Sequence, residues 1–201
     1  MTQMLIAGGW MMIPIILCSL VAITIVLERG RSFSKLSNGR HVDRMVQLVE
    51  KGKYTDALSV SERHPHPILR VLAAGIVSRN QDPGKAMEAA GIAEITRMKR
   101  GLPALDTIIT LAPLLGLLGT IIGMIDSFGV MAVQGLGQPH AVTGGVAEAL
   151  ICTAAGIFVA VITLVPYNYF LSRIEQTTEL IEYHATRIET GLQESSLKER
   201  P

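Results

Sequence analysis

Three long stretches of this chain carry almost no charge, and they constrain its fold more than any other feature. Trp10 to Leu27 holds no charged residue, Thr107 to Val133 holds only Asp126, and Ala141 to Phe170 holds only Glu148. The first stretch, 18 residues long, reaches roughly 27 Å as a helix, close to the hydrocarbon thickness of a bilayer. Runs of this length are transmembrane helices rather than buried core helices. The mean hydropathy of +0.39 agrees, and the hydrophobicity is gathered in blocks rather than spread evenly. The reading is an all-α integral membrane protein with three transmembrane helices.

The first stretch reads as a retained anchor rather than a cleaved leader. No Lys or Arg precedes Arg29, and the chain leaves the stretch through Glu28-Arg29 rather than a small-residue cleavage site. Cys18 and Cys152 both lie inside the spans, which argues against a disulfide framework. A net charge of +1 conceals a strong asymmetry: 14 of the 18 Lys and Arg fall between Glu28 and Arg100, and four follow Phe170. By the positive-inside rule the N-terminus faces outward and the C-terminus inward. The chain then divides into an outward N-terminus and first span (1–28), a cytoplasmic helical segment (29–104), a second span (105–134), a short periplasmic loop (135–140), a third span (141–170) and a cytoplasmic C-terminal helix (171–201). Trp10 and Phe128 stand at the outer ends of their spans, and Tyr167, Tyr169 and Phe170 at an inner end, where aromatic side chains belong. The basic segment is matched by acids and lacks interleaved aromatics, so nucleic acid is not an expected partner; the bilayer is.

Within the cytoplasmic segment, residues 41–63 read as helix interrupted near Gly52, and His64-Pro-His-Pro67 breaks the chain before an apolar helix over 68–77. Asp82-Pro83 has the form of an N-cap followed by proline at the first helical position. The helix after it runs toward the second span, with Pro103 as the expected kink. His64 and His66 have no third ligand nearby and read as loop. Beyond Tyr169, Ile174, Ile181 and Ile188 recur every seven residues, flanked by Leu171 and Leu192. This stripe implies contact with neighbouring helices or subunits. No phosphate-binding loop, nucleophile motif or metal-ligand cluster is present, which disfavours an enzyme; no cofactor or metal is expected.

On helices, the second and third spans acquire faces. Pro113, Gly116, Thr120, Gly123 and Ser127 form one narrow stripe, and Gly119 with Gly123 makes a G-x-x-x-G pair. Gly145, Ala149, Thr153, Gly156, Ala160 and Thr163 form a matching stripe. Small residues let helix backbones approach closely in lipid. The simplest use of both stripes is packing, with Thr120 and Thr153 bonding back to the carbonyl four residues earlier. Glu148 argues for more, because an acid within a span is costly and is by default a functional candidate. It lies five residues, about 7.5 Å of rise, outward of Thr153. The deep region between Thr120 and Thr153 therefore has hydroxyls and no carboxylate of its own. Asp126 and Asp106 read as interfacial.

The segment Gly116-Leu-Leu-Gly-Thr-Ile-Ile-Gly123 followed by Ser127-Phe128 resembles the second span of the ExbB/TolQ/MotA family. Ala147-Glu-Ala-Leu-Ile-Cys-Thr-Ala-Ala-Gly156 with Tyr167-Asn-Tyr-Phe170 resembles its third, and Gly9-Trp-Met-Met-Ile-Pro-Ile15 ending at Leu27-Glu-Arg29 its first. Three spans favour the ExbB/TolQ branch over the flagellar one. The resemblance implies a homopentameric ring around a pore lined by the second and third spans. It implies a single-span ExbD/TolR-like partner inside the pore, whose aspartate carries the proton, and a TonB/TolA-like transducer that receives the work. It matches Thr120 and Thr153 to pore threonines and Glu148 to the glutamate of the third span. Two positions depart from the pattern. Relatives often carry proline where Ile162 stands, whereas here the proline is Pro166; and Asp126 replaces a histidine, so it inherits no role.

The expected function is that of a proton-channel or stator subunit of the bacterial inner membrane, converting proton-motive force into mechanical work. The rivals are an oligomeric membrane scaffold without ion conduction and a sodium-driven stator of the same family. A solute transporter is disfavoured by the lack of repeats and broken-helix pairs.

Overall fold

A computed structural model describes residues 9–34, 40–134 and 139–198. Residues 135–138 of the expected periplasmic loop lie outside the described residues, as do residues 1–8 of the N-terminal segment and 199–201 of the C-terminal one. Among the described residues seven helices follow in order: α1 (Met12–Ser34), α2 (Arg40–Glu50), α3 (Tyr54–Arg63), α4 (Pro67–Val77), α5 (Pro83–Lys99), α6 (Leu102–Gln134) and α7 (Pro139–Lys198). No strand occurs among the described residues. Among the described residues three helices, α1, α6 and α7, are long and apolar enough to cross a membrane. The chain is thus an all-α protein with three membrane-type helices. It separates into two compact units, one of residues 1–30 and 101–169 and the other of residues 31–100 and 170–201.

Local chemistry sets the helix ends. At the end of α2 the Gly52 N–H donates to the Val49 carbonyl at 2.9 Å and the Lys53 N–H to the Leu48 carbonyl at 2.9 Å. This is a Schellman cap, and Gly52 supplies its left-handed residue at φ +71° without a Cβ penalty. Helix α4 opens on Pro67 and α5 on Pro83, where the missing N–H costs nothing. Asp82 caps α5 by accepting the Lys85 N–H at 3.0 Å. That bond, with the Lys85 ammonium beside it, holds the Asp82 carboxyl below its ordinary range. The expected kink at Pro103 is not where the chain turns. Gly101, at φ +86°, makes the break, and Pro103 sits in the first turn of α6, where a proline fits without disruption.

The membrane-type unit buries one side of each helix and leaves the rest bare. Met11, Met12 and Ile15 at the head of α1 close on Cys152 of α7, flanked by Leu115 and Ile122 of α6. Ile13, Leu17, Leu114, Ile125, Phe158 and Val165 are exposed. Helices apolar on every side belong in lipid, where such surface carries no penalty.

The second unit is built as a water-soluble protein is. Val42, Met45 and Val46 of α2, Leu69 and Leu72 of α4, and Met87 of α5 share one core with Ile181, Ile188 and Leu192 of α7. The seven-residue stripe on the C-terminal helix therefore finds a partner within its own chain: Ile181 and Ile188 pack on helices α2–α5. Close approach of α4 and α5 requires Gly75, since a Cβ there would stand 2.6 Å from the Met87 side chain. Glu94, only 7 % exposed, accepts two bonds from Arg70 at 3.1 Å each and one from Arg97 at 3.0 Å. Two guanidiniums thus offset the cost of burying one carboxylate. Arg187 of α7 reaches Glu50 of α2 at 2.7 Å.

His184 is buried at this α2–α7 contact, and its Nδ1 has no hydrogen-bond partner among the described residues. Burial is the main force pushing its pKa down; the Arg187 charge adds to it and Asp43 opposes it. An imidazole kept neutral when folded binds its proton more readily when unfolded. The stability it contributes is therefore full above about pH 6.5 and is lost as pH falls through the lowered folded value. Amide exchange across 181–192, corrected for intrinsic rate, should show protection weakening from about pH 7.5 to 5.5 in the native chain and not in His184→Phe. Equal pH slopes in the two proteins would contradict this.

Candidate hydroxyl site in the membrane unit

Helices α6 and α7 meet along their two small-residue stripes. A Cβ added to Gly116 would stand 3.0 Å from both the Thr153 Cα and the Cys152 carbonyl oxygen, and one on Gly123 3.0 Å from the Ala149 Cβ. On Gly156 it would collide with the Ala112 carbonyl oxygen and stand 3.2 Å from the Gly116 Cα. Gly145 leaves room for the Ser127 hydroxyl, which donates to the Gly123 carbonyl at 2.7 Å. Gly119 faces elsewhere, toward the Cys152 side chain and, at 3.3 Å, the Met11 Cβ. Ala149 and Ala160 are buried, and Pro113 is half-buried inside α6.

At this close approach the two threonines exchange bonds. The Thr120 hydroxyl lies 3.2 Å from its own-helix Gly116 carbonyl and 3.3 Å from the Ala149 carbonyl of α7. The Thr153 hydroxyl donates to the Gly116 carbonyl of α6 at 3.0 Å. The two hydroxyls also contact one another. Back-bonding within each helix therefore describes only part of Thr120 and none of the bonding recorded for Thr153. Each threonine reaches the carbonyl that stands four residues before the other. Those carbonyls belong to Gly116, which has no side chain, and Ala149, which has only a methyl, so both stay open to a donor from the other helix.

The chemistry follows from a count of hydrogens. Two hydroxyls supply two protons for bonding, and two carbonyls plus the hydroxyl oxygens compete for them. One hydroxyl can turn outward to an added carboxylate or cation while the other keeps the helices bridged. Both threonines are half-buried, so the pair retains a face toward its surroundings.

Glu148 is not brought to the threonines. Its side chain is exposed and lies against Gly9, ahead of α1, and it bonds to neither hydroxyl. Asp126 and Asp106 are exposed on α6. Sequence reasoning missed two participants, Cys152 and Ala112. Both are fully apolar in appearance, yet Cys152 seals the α1–α6–α7 junction and Ala112 presents the carbonyl that Gly156 passes. The available signal was their helical register with Gly116 and Gly156. Among the described residues no group of three or more His, Cys, Asp or Glu is arranged to hold a metal.

Residues 64–183 match the description of the MotA/TolQ/ExbB proton channel family. The chain is 38 % identical over 175 residues to the putative biopolymer transport protein ExbB-like 1 of Synechocystis sp., covering 82 % of this chain and 68 % of the relative. It is 33 % identical over 190 residues to ExbB-like 3 of the same organism, covering 91 % and 90 %. It is also 37 % identical over 91 residues to the Tol-Pal system protein TolQ of Pseudomonas aeruginosa, covering 45 % and 39 %.

The seam carries its own prediction. Gly156→Val should loosen the α6–α7 pair by about 1–3 kcal/mol through overpacking, whereas Gly129→Ala, whose Cβ would meet nothing within 4 Å, should be neutral or stabilising. Unfolding in a mild detergent–SDS titration measures both; equal effects at the two positions would refute the close-approach account.

Proposed function

The chain belongs to the ExbB/TolQ branch of the MotA/TolQ/ExbB proton channel family, and from that premise we propose that it is the ring-forming subunit of a proton-driven motor in the bacterial inner membrane. In this reading five copies surround a pore lined by α6 and α7. Residues 29–104 and 171–201 extend into the cytoplasm, and the N-terminus faces the periplasm. A single-span ExbD/TolR-like partner occupies the pore, and a TonB/TolA-like transducer receives the mechanical output. The observation that carries the reading is the crossed threonine pair, Thr120 and Thr153, set in a seam too close for larger side chains.

Hydroxyls do not titrate in the physiological range, so this pair cannot hold a proton charge of its own. It can stabilise a carboxylate brought beside it and release that carboxylate when it is protonated. A partner aspartate cycling between the two states would gain and lose one hydroxyl donor, and the α6–α7 bridge would tighten and relax in step. Each elementary charge moved through 100 mV supplies about 2.3 kcal/mol, so useful work needs repeated transfers. Glu148, exposed on α7, is proposed to pass protons toward the pair from the periplasmic side.

The seam contacts would serve a passive scaffold equally well, and the two readings separate on energy dependence. A scaffold keeps its phenotype when the proton gradient is collapsed; a motor loses it. In proteoliposomes containing this chain and its ExbD-like partner, Thr153→Val should slow proton flux on the order of tenfold to a hundredfold, the worth of one hydrogen bond to a charged group. Thr153→Ser should retain most of it. Unchanged flux in Thr153→Val removes the assigned role, and flux that follows a sodium gradient instead of a proton gradient identifies a sodium-driven stator.

A further inference from the structure

Helices α2 and α3 form an antiparallel hairpin, and at its open end their facing sides enclose a cleft of about 370 Å³. His41, Arg44 and Leu48 line it from α2 at helical spacing, and Ser59, Val60 and Arg63 from α3, with His64 just beyond. The His41 and His64 rings stack across the end of the cleft, their centroids 3.7 Å apart and their planes within 17°. The break expected at His64 thus does more than connect two helices, because it brings a second imidazole over the first.

The charge in this cleft is unbalanced. Arg44 and Arg63 have no carboxylate within ion-pair distance among the described residues, although other arginines of the same unit do: Arg70 and Arg97 hold Glu94, and Arg187 holds Glu50. Among the described residues Asp56 is the one acid on the lining, beside two guanidiniums. The Ser59 hydroxyl already donates to the Asp56 carbonyl at 2.7 Å, so it offers an acceptor and no free proton. Asp43, in the first turn of α2, acts on His184 rather than lining the cleft. The partial positive charge at the start of α2 is met by the partial negative charge at the end of α3, so the side chains set the sign.

Leu48 and Val60 form an apolar floor beneath these donors. Two guanidiniums on the lining of one cleft, with apolar side chains between them, are the donor set that suits a phosphate, which each can hold by paired N–H bonds. The volume admits a phosphate with a small organic substituent and not an unfolded peptide. The geometry points to a phosphate-binding cleft between α2 and α3, with Arg44 and Arg63 as its anion ligands and the His41–His64 stack as its wall. The phosphate group is either free in solution or the headgroup of an anionic phospholipid. This inference is independent of any ion path in the membrane unit.

Its test uses the full chain in phosphatidylcholine nanodiscs, equilibrated with radiolabelled inorganic phosphate. The native protein should take up phosphate saturably, and Arg44→Gln/Arg63→Gln should weaken uptake at least about tenfold. Arg44→Lys/Arg63→Lys should fall between them, because lysine keeps the charge and loses the fork. Both arginines are exposed and form no ion pair among the described residues, so the melting of the variants should follow that of the native chain; if the double variant does not fold, Arg63→Gln alone carries the comparison. Repetition in phosphatidylglycerol nanodiscs assigns the source: displaced phosphate identifies a lipid headgroup as the occupant, and retained phosphate identifies a soluble one. Absence of saturable uptake by the native chain, or equal uptake by the native chain and the glutamine variant, overturns the proposal.

Discussion

The membrane unit depends on two helix backbones coming together where Gly116 and Gly156 leave no side chain between them. In lipid, apolar surface gains nothing by hiding from its surroundings, so helix pairing rests on van der Waals contact and interhelical hydrogen bonds. Both need proximity, and glycine is what permits it. With any larger residue at position 156 the Ala112 carbonyl would be in the way. The same proximity lets the hydroxyls of Thr120 and Thr153 reach carbonyls on the opposite helix. The polar pair is therefore a consequence of the seam, and a change at a glycine should be felt at the threonines.

The second unit is packed on a different pattern. Its core of Val, Ile, Leu and Met on α2–α5 and the end of α7 is of the kind that the hydrophobic effect gathers. Its charges are arranged to match: Glu94 is buried only with two arginines, and Glu50 meets Arg187 at the surface. One helix, α7, serves both environments. Up to Tyr169 it contributes small residues to a lipid-type seam, and from Phe170 onward it contributes branched aliphatics to a water-type core.

Several of these features were legible in the sequence because their cause is local or periodic. The three apolar stretches announce themselves by length, Asp82-Pro83 and Gly52 by helix-end chemistry, and the seam by glycines at helical spacing. What escaped was set by distant contacts. Nothing in the sequence says that Thr153 bonds to a carbonyl 37 positions earlier rather than to its own helix, since both choices suit the same stripe. Pro103 read as a kink because prolines in helices often are; its harmless place in the first turn became visible once Gly101 was seen to take the positive φ. The isoleucine heptad could have met another subunit, and only the packed core shows Ile181 and Ile188 against α2–α5. His64 found His41 because the hairpin at Gly52 brings residues 23 apart side by side.

The proposed function makes Thr120 and Thr153 one unit on an ion path. A double-mutant cycle on proton flux, with Thr120→Val, Thr153→Val and both together, each co-reconstituted with the proposed ExbD-like partner, tests it most directly. Residues sharing one hydrogen-bond network couple by about 0.5–3 kcal/mol, so the double variant should lose little more than the worse single variant. Independent, additive losses would contradict the account.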